Sequence, residues 1–108
     1  MMRVVAFVPD LMDRSKVEVA AQAAGAELEL VARADDLATG VERGADLVVV
    51  DLGRPGVLDG LAGLGRVRTV GFGSHVDRDL LRAASDAGCS QVLARSAFFR
   101  RLPDLLRD

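Results

Sequence analysis

Apolar runs of strand length alternate with stretches of helical period along the whole chain. Residues 3–8 form an apolar run closed by Pro9-Asp10. Residues 13–24 read as a helix, because Val17, Ala20, Ala21 and Ala24 fall on one face. Gly25 stops it. Leu28, Leu30 and Val31 make a short strand, and Asp35 or Asp36 can cap a second helix ending before Gly44. Residues 45–51 are the clearest strand: Val48, Val49 and Val50 suit a strand buried on both faces, as in a parallel sheet. Gly53-Arg54-Pro55-Gly56 is a loop by composition. Residues 58–64 predict a short helix weakened by glycines, 67–72 a strand, 77–87 a strong helix and 91–94 a brief strand. Ser96 is the expected cap of a last helix carrying Phe98, Phe99, Leu102, Leu105 and Leu106, with Pro103 as its kink or first turn.

Strict alternation with short links predicts one α/β domain over residues 1–108: a five-stranded, doubly wound parallel sheet of order 2-1-3-4-5, helices on both faces. In such sheets, ligands and chemistry gather outside the carboxyl ends of the strands. Asp51 falls there, where the best strand runs out, and Asp10 follows the first strand. A carboxylate in that place is a metal ligand, a nucleophile or a cap for local backbone N–H groups. Adjacent helical positions point about 100° apart, so Phe98 and Phe99 cannot both face the sheet squarely. One expectation puts one ring on the sheet and the other on the preceding helix; another leaves one partly exposed.

Composition narrows the remaining chemistry. Half of the residues are hydrophobic but only four are aromatic, so the core is built from Val, Leu and Ala. A net charge of −2, with the arginines spread along the chain, argues against nucleic-acid binding. Cys89 is the single cysteine, which excludes an internal disulfide; it reads as a buried small hydrophobe. No apolar run is long enough to span a membrane and no signal-type leader opens the chain, so a soluble, cytoplasmic protein is expected. His75, the only histidine, lies in the loop after the fourth strand, at the rim of the strand-end pocket. Neither Gly53-Arg54-Pro55-Gly56 nor Gly71-Phe72-Gly73-Ser74 matches a dinucleotide or Walker A loop, and both read as turns.

Asp51-Leu52-Gly53-Arg54-Pro55-Gly56, followed by Asp59-Gly60-Leu61, resembles the phospho-acceptor stretch of response-regulator receiver (CheY-like, flavodoxin-like) domains. Asp86-Ala87-Gly88-Cys89-Ser90-Gln91-Val92-Leu93 is similar to that family's run into its fifth strand. The resemblance spans essentially the whole chain. It implies two-component signalling, with Asp51 as phospho-acceptor and Asp10 and Asp51 as Mg²⁺ ligands. Its departures are specific. Pro9 stands in place of one acid of the Mg²⁺-binding pair. Gly73 replaces the Ser/Thr that follows the phosphoryl group, with Ser74 next to it. Arg95 replaces the lysine after the fifth strand. Arg95 keeps a cation but not an ammonium's geometry, and a direct pair with Asp51 or Asp10 would lock the site.

The expected role is therefore a stand-alone, non-enzymatic pseudo-receiver without working phosphorylation and without a cofactor. It would act through a protein partner or as a homodimer. The resemblance implies that the contact face lies on the last helices, at Phe98, Phe99 and Leu102. One alternative is a working single-domain receiver in which Asp51 is phosphorylated with Mg²⁺, and Arg95 or Ser74 senses the product. Another is a small cofactor-binding protein or enzyme using Asp51, Asp10 and His75 in the strand-end pocket.

Overall fold

The computed structural model describes residues 1–74 and 77–107. The first half of the chain forms β1 (Arg3–Phe7), α1 (Leu11–Ala24), β2 (Glu27–Leu30), a 3₁₀ turn (Ala34–Asp36), α2 (Leu37–Glu42) and β3 (Leu47–Asp51). The second half forms α3 (Val57–Leu61), β4 (Arg68–Gly73), α4 (Arg78–Asp86), β5 (Gln91–Ala94) and α5 (Arg95–Leu105). All strand pairs are parallel and the order is β2-β1-β3-β4-β5, as the alternation predicts.

The sheet divides the core in two. Side chains alternate across a strand, so Val4, Ala6 and Val8 join Leu47, Val49, Val70 and Phe72 on one face, under α1 and α5. Val5, Phe7, Val48 and Val50 face the other way, under α2, α3 and α4. The valines of β3 are thus buried on both sides, which is why that strand carries no polar alternation. Close approach is needed where α2 crosses β1: a Cβ on Gly40 would lie 2.5 Å from Val5 Cγ2. Gly40→Ala is expected to destabilise the fold by about 1–3 kcal/mol through overpacking, read as a shifted urea midpoint with an unchanged slope.

Local chemistry corrects several boundaries. α1 begins at Leu11, because Asp10 is its cap: the Asp13 amide donates to Asp10 Oδ1 at 2.9 Å. Gly25 closes this helix in the left-handed region, at φ 71°. Asp36 makes no side-chain cap to α2, since its own backbone is already helical. Ser96 does not cap α5 either. β5 runs into α5 with no loop, so the helix starts at Arg95 and Ser96 lies inside its first turn. Pro103 sits inside α5 near its end, where it removes the N–H that would have met the Phe99 carbonyl.

The aromatic pair follows the second expectation, with one ring partly exposed, and not the first. Phe98 is fully buried on the sheet and stacks on Phe72, with ring centroids 4.4 Å apart. Phe99 does not pack on α4, which lies across the sheet; it is half-buried on the α1 side, edge-on to Phe72 and Phe98.

Candidate functional site at the strand ends

The carboxyl ends of β1, β3, β4 and β5 bring Asp10, Asp51, Gly73-Ser74 and Arg95 to one end of the sheet. Asp51 closes β3 and is only 8% exposed. Both of its oxygens are engaged. The Gly53 amide donates to Oδ1 at 2.9 Å, an aspartate-led turn. The Arg54 guanidinium approaches Oδ2, with Nε at 3.4 Å.

Asp10 shares its carboxylate with the first turn of α1. That backbone bond from Asp13, set against partial burial and helped by the Met12 amide and the charges of Arg95 and Arg54, holds Asp10 below the ordinary carboxylate range. Asp10 therefore stays ionised.

Arg95 does not make the direct pair with Asp51 or Asp10 expected of a locking residue. Its guanidinium hydrogen-bonds and pairs with Asp13. The reason is geometric. Asp13, Val17 and Ala21 recur every four residues as the buried stripe of α1, and α1 and α5 share one side of the sheet. An arginine at the start of α5 thus emerges beside Asp13. That bond is the main cause raising the Arg95 pKa, opposed by burial and supported by the charges of Asp13, Asp51 and Asp10.

Asp13 and Arg54 were both missed from sequence. Asp13, 1% exposed, was legible as an acid on an otherwise apolar four-residue stripe. Arg54 was legible as the end of Asp51-x-x-Arg54 within a turn.

Gly73 pairs with Ala94 at the end of β4 and offers no hydroxyl. A Cβ there would meet Leu81 at 3.4 Å and Leu52 at 3.6 Å. Ser74 is exposed, and its carbonyl accepts from the Asp77 amide at 3.1 Å. His75 lies outside the described residues. Cys89 is buried, which pushes its thiol up to about 11 and keeps it protonated. Gly60 has a packing role: a Cβ there would lie 2.9 Å from Ala34 Cβ, where α3 meets the 3₁₀ turn.

No protein-family model matches the sequence, and no curated protein does. Solved structures match closely in shape. The chemotaxis protein CheY4 of Vibrio cholerae has a TM-score of 0.82 at 16% identity, covering 98% of this chain and 96% of that one. A response regulator from Hahella chejuensis has a TM-score of 0.79 at 19% identity, covering 98% and 92%. The receiver domain of sensor histidine kinase PA1611 from Pseudomonas aeruginosa, with a magnesium ion in its active-site cleft, has a TM-score of 0.78 at 16% identity, covering 97% and 93%.

The fold is that of a receiver domain. The receiver fold accounts for the position of Asp51, but the residues around it are a poor fit for Mg²⁺. That ion takes octahedral oxygen ligation, commonly from one or two carboxylates with waters and phosphate oxygens. Asp10 and Asp51 are the carboxylates in reach of such a place, and among the described residues no group of three or more His, Cys, Asp or Glu side chains gathers. Each already accepts a backbone N–H, and Arg54 sets a positive charge against Asp51.

Proposed function

We propose that this chain is a receiver-fold signalling module that acts by protein contact and does not use Asp51 as a phospho-acceptor. The observation that carries this reading is the placement of Arg95. A receiver uses a cation after its fifth strand to stabilise negative charge on the phosphoryl group; here that cation is held by buried Asp13. Phosphoryl transfer depends almost entirely on positioning and charge stabilisation. With Arg95 turned to α1, Gly73 lacking a hydroxyl and both Asp51 oxygens engaged, the strand-end pocket is organised around internal ion pairs. No helix among the described residues is long and apolar enough to cross a membrane, which is compatible with a cytoplasmic role.

Of the three residues expected at a contact face, one offers side-chain surface to a partner. Phe98 and Leu102 are buried in the core, while Phe99 is half-buried and presents an edge to the surface.

Incubation with acetyl phosphate and Mg²⁺ tests the reading directly. The intact mass should stay unchanged, and Mg²⁺ should leave the melting temperature where it was. A gain of one phosphoryl group that disappears in Asp51→Ala would establish a working receiver instead.

A further inference from the structure

Three of the four exposed large hydrophobic side chains among the described residues lie on α1. Leu11, Met12 and Val19 are 71%, 74% and 67% exposed, and all lie on this helix. Val19 opens onto a groove of about 490 Å³ between α1 and α5. Val19, Ala20 and Ala23 form one wall, Phe99 and Pro103 the other, and Lys16 stands among them. Met12, Lys16, Val19 and Ala23 follow each other at helical spacing, and the last three line the groove.

The groove has a charge as well as a shape. Lys16 Nζ lies 4.9 Å from the centre of the Phe99 ring, and Arg95 Cζ lies 5.2 Å from it. Lys16 is the charged side chain among the residues lining the groove, and Arg95, paired with Asp13, stands over the same ring. The chain as a whole carries −2. The groove thus carries positive charge at Lys16 on a molecule that is acidic overall.

We propose that the α1–α5 groove binds an amphipathic helix of a partner protein, apolar along one stripe and flanked by carboxylates. Helix-in-groove recognition needs a hydrophobic channel with anchor sites at helical spacing, and α1 supplies both over roughly 12 Å, from Ser15 to Ala23. The basic rim selects an acidic partner. It also disfavours a second copy, because a two-fold contact through this groove would bring Lys16 toward its own copy. The inference deepens the protein-contact role above by naming the surface and the partner's chemistry.

The test is titration of the ¹⁵N-labelled full chain with a synthetic helical peptide of about 14 residues, leucines on one stripe and glutamates beside it. A control peptide carries lysines in place of the glutamates. The glutamate peptide should move the amide signals of α1 and α5 and bind at least ~10-fold more tightly than the control. Val19→Glu and Lys16→Glu, both at exposed positions, should each weaken it by about 10-fold or more. Equal affinity for the two peptides, no binding, or shifts centred on α4 and β5 would overturn the proposal. So would sedimentation of the free chain as a dimer that Val19→Glu dissociates, or binding to phosphatidylserine vesicles without binding to the peptide. A phosphoryl adduct on Asp51 would remove the non-phosphorylated reading and leave the peptide result standing; a missing peptide complex does the reverse.

Discussion

Phe98→Ala should cost about 3–5 kcal/mol, the range for deleting a fully buried ring. Phe98 has no exposed surface, stacks on Phe72 at an interplanar angle of 15°, and touches the layer formed by α1, β1, β3 and β4. Little nearby can move in to fill the space, because the backbone of four neighbouring elements is pinned by the sheet and by α1. Phe99→Ala is expected to cost only about 1–2 kcal/mol, since its half-buried ring loses less area from water. For a domain of this size each kcal/mol moves the melting temperature by about 4–8 °C. Thermal and urea unfolding of the two variants should therefore separate clearly. Equal losses would show that the two rings share the core and would undercut the free edge of Phe99 on which the α1–α5 groove depends.

The same pair shows where sequence reading stops. Helical geometry established that two adjacent rings could not both lie flat on the sheet. It did not say which helix the second ring would meet, because that depends on the side of the sheet each connection takes. α5 shares its side with α1, not α4, so Phe99 meets Lys16. The strands were more legible. Val48-Val49-Val50 needs two covered faces, and short links between alternating elements leave few parallel topologies. The helix starts were less so: Asp10, Asp36 and Ser96 are all good capping residues by type, yet only Asp10 uses its side chain as a cap.

Long charged side chains were the least legible of all. Asp51, Asp10 and Arg95 were rightly brought to one end of the sheet by the order of strands. An arginine reaches several ångströms, however, and chooses among every acid within that reach. Arg95 found Asp13 and Arg54 found Asp51. Neither choice is written in spacing alone. It follows from Asp13 lying on the buried stripe of α1 and from the tight turn that folds Arg54 back over Asp51.

Arg95→Ala should destabilise the chain by about 2–3 kcal/mol. Removing one partner of a fully buried ion pair costs roughly 3–5 kcal/mol, because an uncompensated charge is left behind. The effect here is smaller, since the Arg95 side chain is itself 49% exposed while that of Asp13 is 1% exposed. The asymmetry gives the sharper test. Asp13→Ala leaves a guanidinium that can turn into water, so it should cost only about 1 kcal/mol. The double variant should then resemble Asp13→Ala alone, with a coupling energy of about 2–3 kcal/mol in a double-mutant cycle. Additive losses would mean that the pair is a surface contact of little weight. The cycle also bears on signalling. If the pair is strong, Asp13→Ala is the change that releases Arg95 toward Asp51 and Asp10, whose charges already act on it. Acetyl phosphate treatment of that variant then asks whether one internal acid is what holds the strand-end cation away from Asp51.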